Sequence, residues 1–490
     1  MENTRNFSLE DLNQSIQGKI FGSFNFFNSD GFTGLFTVLN DAKEGDIVIR
    51  HWINGKGIEI AKNKNISCLI TENPKDDAIE IAEKLNFPLI VTEKIELANA
   101  FALKWTIDTF SPNSKNIAIT GTNGKSTTSH LIYHILNFAG FKVFTNTDAE
   151  SEFNTLIDPV VSKMISDYVK DNGKLDYLVI EISEVQGWLG SLMENHAALM
   201  SKSLNPDIAV VTNIAMDHIG LVNSIDEVFL EIAAFVKSLK KGTFIYNGND
   251  DLLLKLLDFK NNSVNDFSFS MKKSREKALF YDNKVEAIFY NDKKILNKKE
   301  LPFESNHFIQ DILSAIAVCI NLDIPLNDIT SSIKNYKSLS RRFTKLNEKP
   351  LIIDDFAHNP EGIKATISET AKLTPENSKF HVICSIRGSR GEELNKLNAE
   401  ALVDSIGSDH NLILTSSCDV VDKLNYVEEN ERNIFLNVLT SNNINFKYYD
   451  RLFDALNETY LYSSKDDVIL LIGAQGMDSA EKLLKEILIK

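Results

Sequence analysis

The sequence has 490 residues, 43% of them hydrophobic, and its 68 acidic and 52 basic side chains leave a net charge of −16. This length predicts about three domains of ~150 residues each, and the acidic balance argues against binding to nucleic acid or to an anionic membrane. The four cysteines form no Cys-x-x-Cys pair, no apolar run reaches ~18 residues, and the start has no signal-peptide pattern, so we expect a cytoplasmic protein.

Patterns along the chain predict three α/β domains, at residues 1–112, 113–338 and 339–490. In the first, short apolar runs alternate with helix-like stretches until a polar, helix-breaking joint at 108–116. The second reads as a parallel sheet with crossover helices, into which residues 277–296 insert antiparallel strands. After a second joint at 334–342, strands again alternate with helices. The prediction is an α/β fold in all three parts.

Residues 120–128, with the sequence TGTNGKSTT, lie between an apolar strand and a helical pattern. Backbone N–H groups at such a helix N-terminus can hold phosphate oxygens. Lys125 adds a positive charge that we expect outside any core, and Ser126 offers a hydroxyl to a nucleotide-bound magnesium ion. Ile119 replaces the first glycine of a full Walker A motif, yet ATP binding is favoured over a simple glycine turn. The predicted nucleotide-binding loop comprises Gly121, Thr122, Asn123, Gly124, Lys125, Ser126 and Thr127.

Polar side chains follow two further predicted strands. Glu181 comes directly after the apolar run 177–180, and Asn213, Asp217 and His218 follow the strand at 207–211. Open parallel sheets bind ligands at the carboxyl ends of their strands, so these groups are expected near the phosphate loop. Glu181 and His218 are therefore candidate magnesium ligands. A solvated or capping role is the alternative for Glu181 taken alone.

The segments TGTNGKST, EIS, TNIAMDHI, SRRF and DDFAHNP occur in the order found in the Mur ligase family, and residues 115–480 resemble that family. The resemblance implies three domains, each with a mainly parallel sheet flanked by helices. The first domain would resemble those that bind a sugar nucleotide or another carrier. The central domain would be P-loop ATPase-like, and the C-terminal domain would be Rossmann-like and bind the amino acid. It also implies that ATP converts a carboxylate into an acyl phosphate, which an amine attacks to form an amide. The implied substrates are an amino acid and a carrier-linked peptide, with ATP and magnesium as cofactors. We expect the protein to be a monomer.

The same resemblance assigns roles around the phosphates. Ser126 and Glu181 match ligands of a first magnesium ion, and His218 matches a ligand of a second. Arg342 matches an arginine that reaches the γ-phosphate from the third domain, with its neighbour Arg341 as the alternative. The implied catalytic residues are Lys125, Glu181, His218 and Arg342.

On the nucleoside side, the resemblance implies contacts from two parts of the chain. His307 and Asp311 match positions beside the adenine, although an asparagine is usual where Asp311 stands. An aspartate keeps the acceptor of that amide and loses the donor. Asp355 matches a residue that meets the ribose, and His358 and Asn359 complete its motif beside the substrate.

Substrate recognition rests on fainter matches. Arg387 and Arg390 resemble a glycine–arginine turn that faces the incoming amino acid, where a guanidinium can hold a carboxylate through two hydrogen bonds. Solvated loop arginines are the alternative. The N-terminal segment resembles a UDP-sugar-binding domain, but Asp41, Ala42 and Lys43 replace its usual Asp-Ser-Arg. A UDP-linked carrier is thus one candidate.

Three functions remain open at this point. The first is a peptide ligase of cell-wall precursors, of the pseudomurein type because the carrier and amino-acid signatures depart from bacterial ones. The second is the same chemistry on another polymer, such as a polyglutamate or cyanophycin-like chain. The third is a nucleotide-binding scaffold that has lost catalysis.

The helix after His218 lacks a lysine that many Mur ligases carbamylate to hold the second magnesium ion. About four turns beyond His218 the chain offers Glu231, followed by Ile232 and two alanines. We hypothesise that Glu231 supplies a built-in carboxylate in place of the carbamate. The alternative is an ordinary exposed glutamate.

Overall fold

The computed structural model describes residues 7–22, 34–147, 156–188, 190–217, 220–302 and 305–489. Within these ranges, three large sheets follow one another along the chain, and each is flanked by helices. The mixed α/β fold with mainly parallel sheets is confirmed. The exact domain boundaries at 112 and 338 stay predictions.

The N-terminal part is built on a five-stranded sheet with the strand order β1-β5-β4-β3-β2. Strand β1 is antiparallel to β5, and the other pairs are parallel. Its elements are α1 (Leu9–Ser15), β1 (Lys19–Phe21), β2 (Phe36–Thr37), β3 (Ile47–Ile53), α2 (Gly55–Asn63), β4 (Cys68–Pro74), α3 (Ala78–Lys84), β5 (Leu89–Val91) and α4 (Ile95–Phe110).

The central part begins with β6 and contains a six-stranded sheet and two small antiparallel sheets. Its first elements are β6 (Lys115–Thr120), α5 (Lys125–Phe138), β7 (Val143–Thr145), α6 (Val160–Asn172), β8 (Tyr177–Glu181), β9 (Gly187–Trp188), β10 (Ser191–Leu192), α7 (His196–Leu204), β11 (Ile208–Val211) and α8 (Ile225–Ser238). They are followed by β12 (Thr243–Asn247), α9 (Asp251–Lys255), β13 (Asn265–Phe269), β14 (Leu279–Asp282), β15 (Ala287–Tyr290), β16 (Lys293–Asn297), α10 (Asn306–Asn321) and α11 (Leu326–Lys334).

The six-stranded sheet has the order β13-β12-β11-β6-β8-β7, and all of its pairs are parallel. Strand β6 lies in its middle and is buried on both faces. Ile117 and Ile119 belong to one apolar core and Ala118 to the core on the opposite face, as the two-residue period of a strand requires. Strands β14, β15 and β16 form an antiparallel sheet, which confirms the insertion predicted at 277–296.

The C-terminal part is a six-stranded sheet with the order β17-β18-β22-β19-β20-β21, in which only the β17–β18 pair is antiparallel among these strands. Its elements are β17 (Thr344–Glu348), β18 (Leu351–Asp355), α12 (Pro360–Ala371), β19 (Phe380–Ser385), α13 (Glu392–Ser405), β20 (His410–Thr415), α14 (Glu429–Ser441), β21 (Phe446–Tyr449), α15 (Leu452–Tyr462), β22 (Val468–Ile472) and α16 (Ala480–Leu488).

None of the helices in the part of the chain that the structure describes is both long enough and apolar enough to cross a membrane.

Candidate active site

The phosphate loop, residues 121–124, connects the central strand β6 to α5. Gly121 and Gly124 have φ angles of +122° and +81°, which L side chains rarely adopt. Asn213, beyond the end of β11, holds the loop from outside. Its backbone carbonyl accepts from Thr122 N at 3.0 Å, its side-chain oxygen accepts from Asn123 N at 3.0 Å, and its amide donates to Asn123 O at 2.8 Å. Asn213 therefore fixes the shape of the loop through three hydrogen bonds.

Lys125 is more deeply placed than its sequence position suggested. Its Nζ donates to the carbonyls of Gly121 and Thr122 at 2.7 and 2.9 Å and lies 2.8 Å from Glu184 Oε2. The Lys125 side chain is 15% exposed and that of Glu184 is 0% exposed. Burial alone would lower the pKa of Lys125, but Glu184 and Glu181 outweigh it and the pKa is raised. Lys125 belongs to none of the apolar cores of the described residues, as expected, but the sequence did not predict its ion pair with the fully buried Glu184.

Ser126 and Glu181 meet beside the loop, as the positions of their strand and helix predict. The Ser126 hydroxyl donates to Glu181 Oε1 at 3.1 Å, and Thr147 Oγ1, after β7, lies 3.5 Å from Glu181 Oε2. Magnesium prefers oxygen ligands and usually combines one or two carboxylates with waters and substrate phosphates. These oxygens fit such a site. Among the described residues no three His, Cys, Asp or Glu side chains are grouped as ligands for a metal ion.

Arg342 extends from the segment before β17 to the central phosphate loop. Its Nη2 donates to the Ser126 hydroxyl at 3.3 Å, and its guanidinium lies 4.8 Å from the centre of the Phe356 ring. Arg341 faces the other way. It is 4% exposed, donates to the carbonyls of the 473–474 segment and pairs with Asp354 and Asp478. The geometry favours Arg342 over Arg341 as the residue at the phosphates.

We expect alanine substitutions of the two arginines to have different effects. Arg342→Ala should lower the ligation rate by about tenfold to a hundredfold, because one positive charge at the phosphates is lost. Its melting temperature should stay close to that of the wild type. Arg341→Ala should instead lower the free energy of unfolding by about 2–3 kcal/mol, since it leaves the buried Asp354 carboxyl without its cation. Steady-state kinetics and thermal denaturation of both variants check this. A loss of activity without a loss of stability in Arg341→Ala, with the opposite result in Arg342→Ala, would contradict it.

Asn359 joins the two halves of the site. It is 1% exposed, and its Nδ2 donates to Asn123 Oδ1 at 3.0 Å and to Asp217 Oδ2 at 3.1 Å. Its own Oδ1 accepts from Gly362 N and so caps α12. His358 Nε2 lies 3.7 Å from the same Asp217 oxygen. The motif after β18 is thus held directly against the phosphate loop.

The nucleoside residues predicted from the sequence lie around the start of α10 and the end of β18. Asp311 is 4% exposed and lies against Gly124, and burial raises its pKa well above the usual range although Thr128 and Arg342 lower it. Asp355 accepts from Phe343 N at 2.7 Å and from Ala357 N at 2.9 Å, so its carboxylate shapes both flanking loops.

His307 is half-buried and lies at the N-terminal end of α10, where its ring contacts that of Phe308 at 4.4 Å. Burial lowers the pKa of His307, and Asp355 opposes this shift. The His307 ring and the neighbouring Phe308 ring form an aromatic wall, which is suited to a heterocyclic base.

The remaining predicted residues are placed as follows. Thr127 is 6% exposed within α5. His218 lies outside the described residues. In α8, Glu231 accepts a hydrogen bond from Asn195 N at 2.7 Å, just before α7, and burial raises its pKa. This contact gives Glu231 a local role at the start of α7, and its role at a metal ion stays a prediction.

Arg387 and Arg390 lie on the turn between β19 and α13, at the carboxyl end of the C-terminal sheet. Arg387 is half-buried and Arg390 is exposed, with its Nη1 3.2 Å from Ser389 O. Asn395 Nδ2, from α13, donates to Arg387 O at 2.8 Å. The two arginines therefore share one short turn at the edge where Asp355 and Asn359 also lie.

Sequence reasoning assigned no role to Glu184, Asn213 or Asp217. The signal for Glu184 was its place three residues beyond Glu181, in the same loop after β8. Asn213 and Asp217 were noted beyond β11, but their partners, the phosphate loop and Asn359, are distant in sequence and emerge only from the fold.

A cleft of about 340 Å³ lies between the N-terminal sheet and the central part. His51 stacks on Trp188, with ring centres 4.0 Å apart, and its Nδ1 lies 2.7 Å from Glu72 Oε1. Trp52 is 37% exposed, and the cations of Arg50 and Lys75 lie 5.1 and 5.0 Å from the centre of its ring. Aromatic faces and the Arg50 guanidinium line this cleft together with the Asp158 carboxyl, so it offers stacking surfaces and both charges to a polar ligand that carries a ring.

Comparison with known proteins agrees with this geometry. Residues 119–319 match the profile of the Mur ligase middle domain, and residues 341–475 match that of the Mur ligase glutamate ligase domain. A UDP-N-acetylmuramate–L-alanine ligase of Clostridium acetobutylicum is 29% identical over 272 residues, so the chain spans 54% of that relative's length and the match covers 54% of this chain.

Two solved structures share the fold. MurF from Acinetobacter baumannii superimposes with a TM-score of 0.71 at 17% identity, covering 99% of both chains. A pseudomurein peptide ligase type C from Methanothermus fervidus gives 0.55 at 17% identity, covering 89% of this chain and 100% of that one. Both family domains lie in the right order and carry the phosphate loop and its partner arginine. The chain therefore belongs to the Mur ligase family of ATP-dependent peptide ligases.

Proposed function

We propose that this protein joins an amino acid to the carboxylate of a carrier-linked peptide or sugar acid in cell-wall precursor synthesis, with ATP and magnesium, and that it releases ADP and phosphate. The observation that carries the proposal is the junction at the phosphate loop. Arg342 and Asn359, both from the C-terminal part, contact Ser126 and Asn123 of the loop. The site thus combines groups for ATP with groups from the part that would hold the amine.

Phosphate activation follows from the charges around the loop. Backbone N–H groups at the start of α5 would hold the phosphates, and the positive charges of Lys125 and Arg342 lie beside them. Magnesium, held by Ser126 and Glu181, would screen the charge of the phosphate oxygens. A carboxylate oxygen of the acceptor attacks the γ-phosphorus, the bond to the bridging oxygen breaks, and ADP leaves. The product is an acyl phosphate whose leaving group is far better than hydroxide or oxide.

Amide formation then needs the amine close to the acyl carbon and water kept away. The amine attacks that carbon, phosphate leaves, and the nitrogen loses a proton to solvent or phosphate. Arg387 and Arg390 would hold the carboxylate of the incoming amino acid, and the Asn359 junction would keep the two parts closed during the reaction. Retention of all these groups argues against a scaffold that has lost catalysis.

The cleft around His51, Trp52 and Trp188 is our candidate for the carrier. A ring of a nucleotide carrier can stack on its aromatic faces, and Arg50 can meet a diphosphate. The relative named above acts, by its name, on UDP-N-acetylmuramate and L-alanine, which makes these the first acceptor and amine to test. The departures at Asp41, Ala42 and Lys43 keep a pseudomurein-type peptide in the panel.

The acyl phosphate makes a direct prediction. With ATP, magnesium and the true acceptor, hydroxylamine in place of the amino acid should give the acceptor hydroxamate and one ADP per product. The measurement is product mass together with nucleotide chromatography, over a panel of UDP-linked acceptors and amino acids. Omission of the acceptor is the control and should leave only background ADP. Formation of AMP would contradict the mechanism, and a polyglutamate acceptor outperforming every cell-wall precursor would favour the alternative substrate class.

A further inference from the structure

One buried carboxylate organises the turn that carries Arg387 and Arg390. Glu431, in the first turn of α14, is 2% exposed. Its Oε1 accepts from Arg390 N at 2.8 Å and from Gly391 N at 2.6 Å, while its Oε2 accepts from Ser389 N at 3.0 Å and from Glu428 N at 3.0 Å. A single side chain thus satisfies three successive N–H groups of the turn.

The rest of the turn is held from its other sides. Asn395, which is 0% exposed, donates from Nδ2 to the carbonyls of Arg387 and Gly391, at 2.8 and 3.1 Å. A Cβ on Gly388 would come within 2.3–2.4 Å of the backbone at 425–426, so the turn is also packed closely against that segment. Carbonyls and N–H groups of this short segment therefore both have dedicated partners.

We propose that Glu431 is a positioning residue for the incoming amino acid, acting through the backbone of the arginine turn. The inference rests on the proposed function of Arg387 and Arg390 at the amine's carboxylate. A turn that is already ordered loses little conformational entropy when the amino acid binds. The affinity for the amino acid is therefore higher. Because Ser389, Arg390 and Gly391 already donate to Glu431, recognition of the carboxylate is left to the guanidinium groups.

Glu431→Gln tests this without a change of size. Glutamate accepts through two oxygens, each of which binds two backbone N–H groups, whereas glutamine has one carbonyl oxygen and one NH₂ group. The NH₂ group would therefore face two N–H donors and leave them without an acceptor. The turn should loosen, and the KM for the amino acid should rise by at least about tenfold. The rate of hydroxamate formation and the KM for ATP should change by less than about twofold, because neither depends on the amino acid's carboxylate. Faster hydrogen exchange at residues 389–391 should accompany the change.

Asp467→Asn is the matched control. Asp467 is 4% exposed and also accepts from two backbone N–H groups, those of Lys379 and Ser464. It lies just before β22, at the amino end of that strand, whereas the arginine turn lies at the carboxyl end of the parallel strand β19. This variant should lose stability and keep the amino-acid KM. An unchanged amino-acid KM in Glu431→Gln, with an active wild type, would refute the positioning role alone. A wild-type protein that ligates no amine would refute the proposed function and this role with it.

Discussion

Replacement of Lys125 by methionine is expected to abolish ligation and to lower the melting temperature as well. The rate should fall by at least about a thousandfold, because a partly buried positive charge beside the phosphate loop is removed. Stability should fall by about 3–5 kcal/mol, because Glu184, fully buried, loses the cation 2.8 Å away. Acceptor-dependent phosphate release and thermal denaturation measure the two effects.

The double variant Lys125→Met/Glu184→Gln separates the two roles. It removes the buried carboxylate together with its cation, so most of the lost stability should return, while ligation should stay abolished. Lys104→Met is the surface control, because Lys104 is 59% exposed and pairs with the partly exposed Asp108 one turn away. More than about a tenth of wild-type ligation in either Lys125 variant would remove Lys125 from the phosphate site.

Much of the site's layout could be predicted from sequence because it follows from parallel-sheet geometry. Apolar runs ending at Thr120, Glu181 and Val211 mark the carboxyl ends of neighbouring strands, so whatever follows them must share one edge. That reasoning brought Glu181 to Ser126 correctly. The same logic identified the antiparallel insertion, where turn residues separate short strands.

The parts that could not be predicted depend on which way a side chain faces or on a distant partner. Arg341 and Arg342 are neighbours with the same chemistry, yet one pairs with Asp354 inside the C-terminal part and the other reaches Ser126. The family resemblance suggested Glu231 as a metal ligand, and in the fold its carboxylate accepts from Asn195 N, just before α7. Neither outcome is encoded in local periodicity, because each depends on how separate elements pack.

Long-range pairing also explains why the loop's environment was underestimated. The Asn123–Asn359 contact joins residues 236 positions apart, and the Lys125–Glu184 pair joins residues 59 apart. From sequence alone, a lysine after a glycine loop looks like a mobile surface charge. In the fold it is locked between two loop carbonyls and a buried carboxylate, so catalysis and stability depend on the same residue.

Gly124→Ala is expected to damage the phosphate loop severely, although it adds only one methyl group. A Cβ at this position would come 2.2 Å from Asp311 Oδ1 and 3.0 Å from its Cγ, and the backbone has a φ of +81°. Asp311 is short and only 4% exposed, so it has little room to move and we expect the loop to shift as well. We expect ligation to fall by more than about a hundredfold, since displacement of about 1 Å at the reacting groups suffices for such a loss. The stability loss should be about 2–4 kcal/mol, from strain and overpacking together.

Gly140→Ala isolates the contribution of strain, because Gly140 follows the other end of the same helix α5. Its φ is +89°, close to that of Gly124, but a Cβ there would meet nothing within 4 Å. This variant should therefore lose only about 1 kcal/mol and keep its ligation rate within about twofold. Denaturant unfolding and phosphate release, measured on both variants in parallel, give the comparison. If Gly124→Ala behaved like Gly140→Ala, the close packing of the loop against Asp311 could not be a requirement of the active site, and the phosphates would have to be held elsewhere.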